Sequence, residues 1–475
     1  MKGVFDLDVF LNPESVAVIG ASEKPGSWGQ FMMGSLRTWN YPGRIYPVNP
    51  KADTVYGIPA FSNVGEIKDP VDLAIIAVPE QSIEEVITAW GKKGVKGVTI
   101  ITAGFGEAVD GGKEREKGLA SLAHSFGMRL IGPNVSGTFN LHAHFNAAAS
   151  PAEHLLPTKL AGACQGGYAF YDLLASSFFR GMGVGKFIHT GNECDLTVTD
   201  FLEHFGRDNE VSGILMYLET IRDGDRFMKV IEKVAKIKPV VVYKAGRTEG
   251  SARAAHSHTG ALSGKNEIFQ AFFHQAGVVV SPTMELMVPV AHALVERPPM
   301  RGRRVGIVTV GGSWGVALSD MIEEKGLAVP ELGREVQKKL RNLGMPLRAS
   351  TKNPVDIGAA GFNFSIEGIV NIGREVLSSG EVDALILHGF GRPGMHSEDT
   401  PDEMRFYAEI EKQVIEGYGK LEDETEMPVL VGSNFSPWES QVIHDLNAKN
   451  FRIYNRLDDI AEILRLMSEY WKKRL

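Results

Sequence analysis

The sequence predicts an α/β protein built from three consecutive modules, each with parallel strands joined by helical crossovers. Two observations lead to this prediction. Short apolar runs alternate with amphipathic stretches along the whole chain, which is the pattern of parallel sheets covered by helices. The length of 475 residues is also enough for about three domains of ordinary size.

The first module is predicted to span residues 1–150 and to bind a nucleotide-like ligand. Its strands are expected at 15–19, 44–48, 73–78, 97–101 and 128–131. The carboxyl ends of parallel strands meet at one edge of a sheet, where ligands bind. Four short loops fall at those ends: Gly20-Ala21-Ser22, Asn49-Pro50-Lys51, Val78-Pro79 and Ala103-Gly104.

The type of nucleotide is a separate question. The dinucleotide fingerprint requires G-x-G-x-x-G and an acidic residue about twenty positions later. Here the first loop lacks the second glycine, and the next strand ends in Asn49 with Lys51 just beyond. A lysine at this place favours a phosphate-bearing ligand over bare NAD, although a solvated loop lysine explains Lys51 equally well.

The second module is predicted to span residues 157–297, with strands at 159–163, 186–189, 212–217 and 239–243. Two glycine-containing loops are expected to open helices near Tyr168 and Asp195. They read Cys164-Gln165-Gly166-Gly167 and Thr190-Gly191-Asn192-Glu193. Free N–H groups at a helix start bind anions, so both loops are candidate anion sites; tight turns between strand and helix are the alternative explanation.

A segment of almost entirely small and polar residues, 244–264, contains the most informative side chain, His258. Long loops between rigid elements often carry function. The neighbours Ser257, Thr259 and Gly260 offer hydroxyls and close backbone approach, which suit a phosphorylated imidazole; the alternative is a solvated loop histidine. Such an imidazole needs a partner on its second nitrogen, and Glu219, at the end of strand 213–218, is the candidate. A solvated loop glutamate is the alternative there.

The third module is predicted to span residues 304–475, after a proline-rich, charged linker at 296–303. A strand at 305–310, a turn at 311–315 and a helix at 316–325 open it. Further strands are expected at 384–388 and 429–432, and a charged helix from Leu457. The sequence Asn353-Pro354-Val355-Asp356 is typical of a turn with Asx hydrogen bonding.

Composition excludes several classes of protein. The formal charge of -8 argues against a nucleic-acid partner, and no apolar run approaches the roughly 20 residues that span a bilayer. The two cysteines, Cys164 and Cys194, are too few for a disulfide framework or a cysteine-cluster metal site. With no signal-peptide pattern at the N-terminus, a cytoplasmic location without membrane attachment and without a bound metal is expected.

The segment around Ser257-His258-Thr259-Gly260-Ala261-Leu262 resembles the phosphohistidine loop of the NDP-forming acyl-CoA synthetases. This superfamily includes ADP-forming acetyl-CoA synthetase and succinyl-CoA synthetase. The resemblance continues in the same order along nearly all of the chain, through Val18-Ile19-Gly20-Ala21-Ser22, Ile45-Tyr46-Pro47-Val48-Asn49-Pro50-Lys51, Ile76-Ala77-Val78-Pro79, Ala103-Gly104-Phe105, Gly132-Pro133-Asn134, Gly191-Asn192 and Asn353-Pro354-Val355-Asp356.

The resemblance implies a CoA-binding Rossmann-like domain followed by two flavodoxin-like domains. It implies that His258 is the covalent phosphate carrier and that Glu219 supports it. Coenzyme A would contact Gly20, Ala21, Ser22, Lys51, Val78, Pro79, Ala103 and Gly104. The phosphate or acyl substrate would contact Asn134, Gln165, Gly166, Gly167, Gly191, Asn192, Thr259 and Gly260.

The implied activity is that of an alpha-type subunit. An ATP-grasp beta-type subunit is then expected to supply the ADP or ATP site and Mg²⁺ in a hetero-oligomer, since the chain ends after the third module. Departures from the family pattern at Val135, at Cys164 to Gly167 and at Ser313-Trp314 leave the acyl group open. Two alternatives are a non-catalytic CoA-binding regulator of the same fold and an NAD-dependent oxidoreductase.

Overall fold

The computed structural model describes residues 5–107, 111–149, 155–178, 180–251, 266–358, 365–391, 401–449 and 451–474. The chain divides into two compact units. The first comprises Met1–Ala175 and Gly183–Met284, and the second comprises Ser176–Met182 and Glu285–Leu475.

The first sheet of the first unit consists of five parallel strands. They are β1 (Ser15–Ile19), β2 (Arg44–Val48), β5 (Leu73–Ile76), β6 (Gly97–Ile100) and β7 (Arg129–Ile131), in the order β2-β1-β5-β6-β7; β3 (Thr54–Val55) and β4 (Ile58–Pro59) form a separate two-stranded ribbon. The accompanying helices are Trp28–Thr38, Ile83–Lys93 and Gly112–Ser125, with 3-10 turns at Leu7–Phe10, Val64–Glu66 and Glu80–Ser82. Every residue of β1, β5 and β6 is buried, because helices cover both faces of a parallel sheet.

The second sheet has seven strands. They are β8 (Gly137–Asn140), β9 (Phe145–Ala148), β10 (Leu160–Cys164), β11 (Lys186–His189), β12 (Gly213–Leu218), β13 (Val240–Lys244) and β14 (Val279–Val280), in the order β14-β13-β12-β10-β11-β8-β9. Its helices are Gly167–Phe178, Val198–Arg207, Gly224–Ala235 and Asn266–Gln275, and a 3-10 turn lies at Leu141–Ala143.

The hairpin formed by β8 and β9 lies within the range predicted for the first module, yet it belongs to the second sheet. β8 pairs antiparallel with both β11 and β9. The predicted boundary at residue 150 therefore falls after the point at which the chain changes sheets.

The second unit contains one parallel sheet of five strands. They are β15 (Val305–Thr309), β16 (Val355–Asp356), β17 (Ala384–His388), β18 (Val429–Gly432) and β19 (Ile453–Tyr454), in the order β16-β15-β17-β18-β19. Its helices are Met287–Glu296, Gly312–Glu324, Arg334–Asn342, Ile366–Ser378, Asp402–Thr425, Gln441–Ala448 and Leu457–Lys472. The predicted turn through residue 315 is wrong, because the helix already begins at Gly312.

Asn353 connects the first strand of the second unit to its neighbours. Its side-chain Nδ2 donates to the carbonyls of Val305 and Pro330, each at 3.0 Å, and its Oδ1 accepts from the amide of Ile307 at 2.9 Å. The predicted Asx hydrogen bond is formed by Asp356, whose Oδ1 accepts from the Gly358 amide at 2.9 Å. The motif therefore fixes the edge of this sheet, with residues 355–356 as strand β16.

All three sheets share one order of parallel strands, in which the first strand lies between the second and the third. The crossovers on either side of the first strand then leave in opposite directions, which opens a crevice at the carboxyl ends of the first and third strands. In the first unit these crevices lie between β1 and β5 and between β10 and β12. The predicted α/β fold class is confirmed.

Candidate active site

The crevice of the first sheet begins with Gly20, directly after β1. Its φ of +89° is a left-handed conformation, and a Cβ at this position would lie 2.4 Å from the carbonyl oxygen of Ala77. Only glycine fits this close approach. The loop that follows is tied to the end of β2, because Asn49 Nδ2 donates to the Ala21 carbonyl at 2.8 Å.

Lys51 lies in the same loop cluster. Its amide donates to Asn49 Oδ1 at 2.9 Å, and its side chain is exposed. Ser22 accepts from the Lys24 amide through its hydroxyl at 3.0 Å. Asn49 therefore holds the predicted loops that follow β1 and β2 together, while the ammonium group of Lys51 is left accessible.

The other predicted loops of this sheet follow β5 and β6. Thr102 Oγ1 donates to the Val78 carbonyl at 2.6 Å, which joins the loop carrying Val78-Pro79 to the one carrying Ala103-Gly104. The amide of Gly104 donates to Glu107 Oε1 at 2.5 Å. Burial acts to raise the pKa of Glu107, but hydrogen bonds from the backbone and from Asn192 lower it below its usual value.

Asn192 connects the loops of the two sheets. Its Nδ2 donates to Glu116 Oε1 at 2.7 Å and also to Glu107, while its backbone amide donates to the Pro133 carbonyl at 2.9 Å. Asn134 Nδ2 donates to Asn192 Oδ1 at 3.3 Å. Gly191 and Asn192, predicted from the second module, therefore lie against the end of the first sheet beside Asn134.

The crevice of the second sheet is organised by Gln165, at the end of β10. Its Oε1 accepts from the backbone amides of Glu219 at 2.7 Å and Thr220 at 3.0 Å, and its Nε2 donates to Glu193 Oε2 at 2.8 Å. Both functional groups of this buried side chain thus bind the protein itself. Gln165, predicted as a phosphate or substrate contact, here fixes the end of β12 at Glu219.

Glu193 completes this hydrogen-bonded group. It is 6% exposed, and its Oε1 accepts from the Thr190 hydroxyl at 2.9 Å and from the Val198 amide at 2.8 Å. Burial raises the pKa of its carboxyl group, an effect that these hydrogen bonds oppose. The prediction of a free helix start near Asp195 is wrong: the helix begins at Val198, behind the capping box of Thr197 and Asp200, and Glu193 occupies its first amide.

Glu219 lies where the sequence placed it, one residue beyond β12, and it is 9% exposed. Burial and the negative charge of its carboxylate raise the pKa of the Tyr217 phenol. A Cβ on Gly166 would lie 2.6 Å from the Tyr217 ring. The Tyr217 ring therefore packs directly against the backbone of Gly166, where any larger residue would collide with it.

Lys244, the last residue of β13, is a buried cation next to Glu219. It is 2% exposed, and its Nζ donates to the Glu219 carbonyl at 2.9 Å and to the Ala245 carbonyl. Burial lowers its pKa, while the negative charge of Glu219 acts in the opposite direction.

Sequence reasoning did not single out Lys244, Glu193 or Glu107. The lysine at the end of the otherwise apolar strand Val240–Lys244 could have indicated a buried, hydrogen-bonded ammonium group. Lysine is almost never fully buried without partners.

His258, Thr259 and Gly260 lie outside the described residues, which stop at Ser251 and resume at Asn266. Their predicted roles stay predictions. The described residues contain no group of three or more histidine, cysteine or acidic side chains arranged to hold a metal ion. None of the described helices combines the length and the apolarity of a membrane span.

Two of the family departures are buried. Val135 is 2% exposed, and Cys164 is fully buried with its Sγ donating to the Gly166 carbonyl at 2.8 Å. Burial raises the pKa of the Cys164 thiol, which disfavours its thiolate form. Trp314 is 41% exposed at the start of helix Gly312–Glu324.

Comparisons with known proteins identify both halves of the first unit. Residues 14–139 match the family described as a CoA binding domain, and residues 157–294 match the succinyl-CoA ligase like flavodoxin domain. The alpha subunit of acetate–CoA ligase [ADP-forming] II from Pyrococcus furiosus is 40% identical over 380 residues, which cover 80% of this chain and 81% of that subunit.

Two further relatives extend the comparison. The ADP-forming acetate–CoA ligase of Methanocaldococcus jannaschii is 36% identical over 355 residues, which cover 74% of this chain and 49% of that protein. This chain thus spans about half the length of that relative. A solved structure of the dinucleotide forming acetyl-coenzyme A synthetase 1 of Ca. Korarchaeum cryptofilum, in complex with phosphate and ADP, is 29% identical, covers 99% of both chains and has a TM-score of 0.84.

Proposed function

The chain belongs to the ADP-forming acyl-CoA ligase family, and from this premise we propose that it is the alpha-type subunit of such a ligase. It interconverts acyl-CoA, phosphate and a nucleoside diphosphate with a carboxylic acid, CoA and a nucleoside triphosphate. The observation that carries the proposal is the placement of Glu219 at the crevice between β10 and β12, where Gln165 holds its backbone amide at 2.7 Å.

Coenzyme A is the substrate assigned to the first sheet. The loops after β1 and β2 are joined by Asn49, and the close packing at Gly20 leaves the end of β1 without a side chain in the way. Backbone N–H groups in such loops suit a phosphate-bearing ligand, and the exposed ammonium of Lys51 suits a phosphate group of CoA. Hydrogen bonds from the Gly104 amide to Glu107, and from Asn192 to Glu107, connect this site to the loop that follows β11 in the second sheet.

The reaction has three reversible steps, of which the first two are assigned to the second crevice. Phosphate displaces CoA from acyl-CoA and gives an acyl phosphate. The Nε2 or Nδ1 atom of His258 then takes the phosphoryl group and releases the carboxylate, and finally transfers that group to the nucleoside diphosphate. Glu219 accepts the N–H of the other ring nitrogen, which fixes the tautomer and balances the charge of the phosphorylated ring.

An ATP-grasp beta-type subunit is proposed to supply the nucleotide and Mg²⁺ sites. The relative from Pyrococcus furiosus is named as an alpha subunit, and the Methanocaldococcus jannaschii relative is about twice as long as the part this chain matches. Both facts support a second polypeptide. The segment that carries His258 must then reach two sites in turn, which its small, glycine-rich composition permits.

The Lys51→Glu variant tests the CoA site directly. Charge repulsion should weaken CoA binding by about 1–3 kcal/mol, or roughly fivefold to 150-fold in Kd. Isothermal titration of the purified full chain with CoA and, separately, with NAD measures this effect, and the wild-type chain should bind CoA in preference to NAD. Lys68→Glu makes the same charge change at an exposed residue away from these loops and should leave the Kd unchanged. An unchanged Kd in Lys51→Glu removes Lys51 from the site, and preference for NAD contradicts the proposed function.

A further inference from the structure

Lys244 holds two backbone carbonyls that belong to different parts of the site. One is the carbonyl of Glu219, at 2.9 Å from Nζ, and the other is that of Ala245, the first residue after β13. Ala245 also donates its amide to the Leu218 carbonyl at 2.8 Å. The ammonium group therefore joins the end of β12 to the start of the segment that leads to His258.

The backbone of Glu219 is fixed on both sides by these contacts. Gln165 Oε1 accepts from its amide at 2.7 Å, and Lys244 donates to its carbonyl. These two contacts fix the main-chain atoms from which the Glu219 side chain extends at the crevice. The two buried side chains act on the same residue from the ends of β10 and β13, the two strands that flank β12.

Stability alone does not account for a lysine at this place. The side chain is 2% exposed, so an apolar side chain of similar length would fill the space without taking a charge out of water. Burial lowers the pKa of Lys244, because it disfavours the charged form of the side chain. An apolar side chain could not form the hydrogen bonds that the ammonium group donates to the carbonyls of Glu219 and Ala245.

We infer that Lys244 is a positioning residue for phosphoryl transfer, which holds Glu219 and the root of the histidine-bearing segment in one fixed arrangement. The inference rests on the proposed function, because it gives Lys244 a role in presenting Glu219 to His258. Lys244 itself acts through these two residues and takes no part in bond making.

Lys244→Met in the full chain tests the inference, with Lys238→Met as the matched control. Lys238 also directs its Nζ to two backbone carbonyls, those of Phe205, at 2.7 Å, and Asp208, at a place removed from Glu219. Hydrogen exchange followed by mass spectrometry should show about tenfold faster exchange in peptides covering residues 217–221 and 243–251 of Lys244→Met. Lys238→Met should show wild-type exchange in both peptides.

A kinetic measurement in the complex with the partner subunit separates positioning from general destabilisation. Lys244→Met should lower kcat by about tenfold or more and leave the KM for CoA unchanged, while Lys238→Met should change neither. The inference is overturned if both peptides of Lys244→Met exchange at the wild-type rate. It is also overturned if Lys244→Met and Lys238→Met lower kcat equally. Absence of turnover in the wild-type complex contradicts the proposed function instead, and the exchange data then decide by themselves whether Lys244 holds Glu219.

Discussion

Replacing His258 with alanine will abolish phosphorylation of the chain, whereas replacing His256 with alanine will leave it intact. In the proposed reaction His258 is the nucleophile, because it occupies the position of the family's phosphohistidine and is followed by the hydroxyl of Thr259 and by Gly260. The loss is expected to be complete, because no other side chain takes over a covalent role.

The measurement uses the chain together with an active ATP-grasp partner, magnesium and a nucleoside triphosphate labelled on its terminal phosphate. Wild type and His256→Ala should acquire label in an adduct that is labile to acid and stable to alkali, the behaviour of a phosphoramidate. Label that persists in His258→Ala and disappears in His256→Ala would move the role to His256. No label in any form, with a partner of proven activity, would favour a CoA-binding regulator.

Glu219→Gln should lower the rate of phosphorylation by about tenfold to a thousandfold, equivalent to ~1.4–4 kcal/mol of transition-state stabilisation. The substitution keeps the size of the side chain and removes its charge. The backbone contacts of Glu219 with Gln165 and Lys244 do not depend on the carboxylate, so the arrangement of the site should be preserved.

Rapid quenching of the labelling reaction gives this rate, and thermal unfolding shows whether the variant is folded. Asp225→Asn removes a negative charge from an exposed position in the first turn of helix Gly224–Ala235 and serves as the matched control. A rate in Glu219→Gln equal to that of Asp225→Asn would remove Glu219 from the chemistry.

The strands of this protein were predictable because parallel strands covered on both faces are continuous apolar runs. Ala384–His388 and Val429–Gly432 agree with their predictions at both ends. The rule that loops at the carboxyl ends of strands meet also placed Gln165 and Glu219 in one crevice. The family resemblance is confirmed by a relative that is 40% identical over 80% of this chain.

What could not be predicted depends on contacts between residues far apart in the chain. The hairpin of β8 and β9 carries no local signal for the sheet that it joins, and the hydrogen bonds of Gln165 are decided by the packing of β10 against β12. One missed feature did have a signal: Thr197 and Asp200 form a capping box three residues apart, which marks the start of helix Val198–Arg207.

We propose that this chain performs its half of an acyl-CoA ligase reaction and depends on a second subunit for the nucleotide. Steady formation of nucleoside triphosphate from acyl-CoA, phosphate and a nucleoside diphosphate tests it most directly, with the purified chain alone and after co-expression with an ATP-grasp partner. Turnover is expected only in the presence of the partner. Sustained synthesis of nucleoside triphosphate by the rigorously purified chain alone would contradict it.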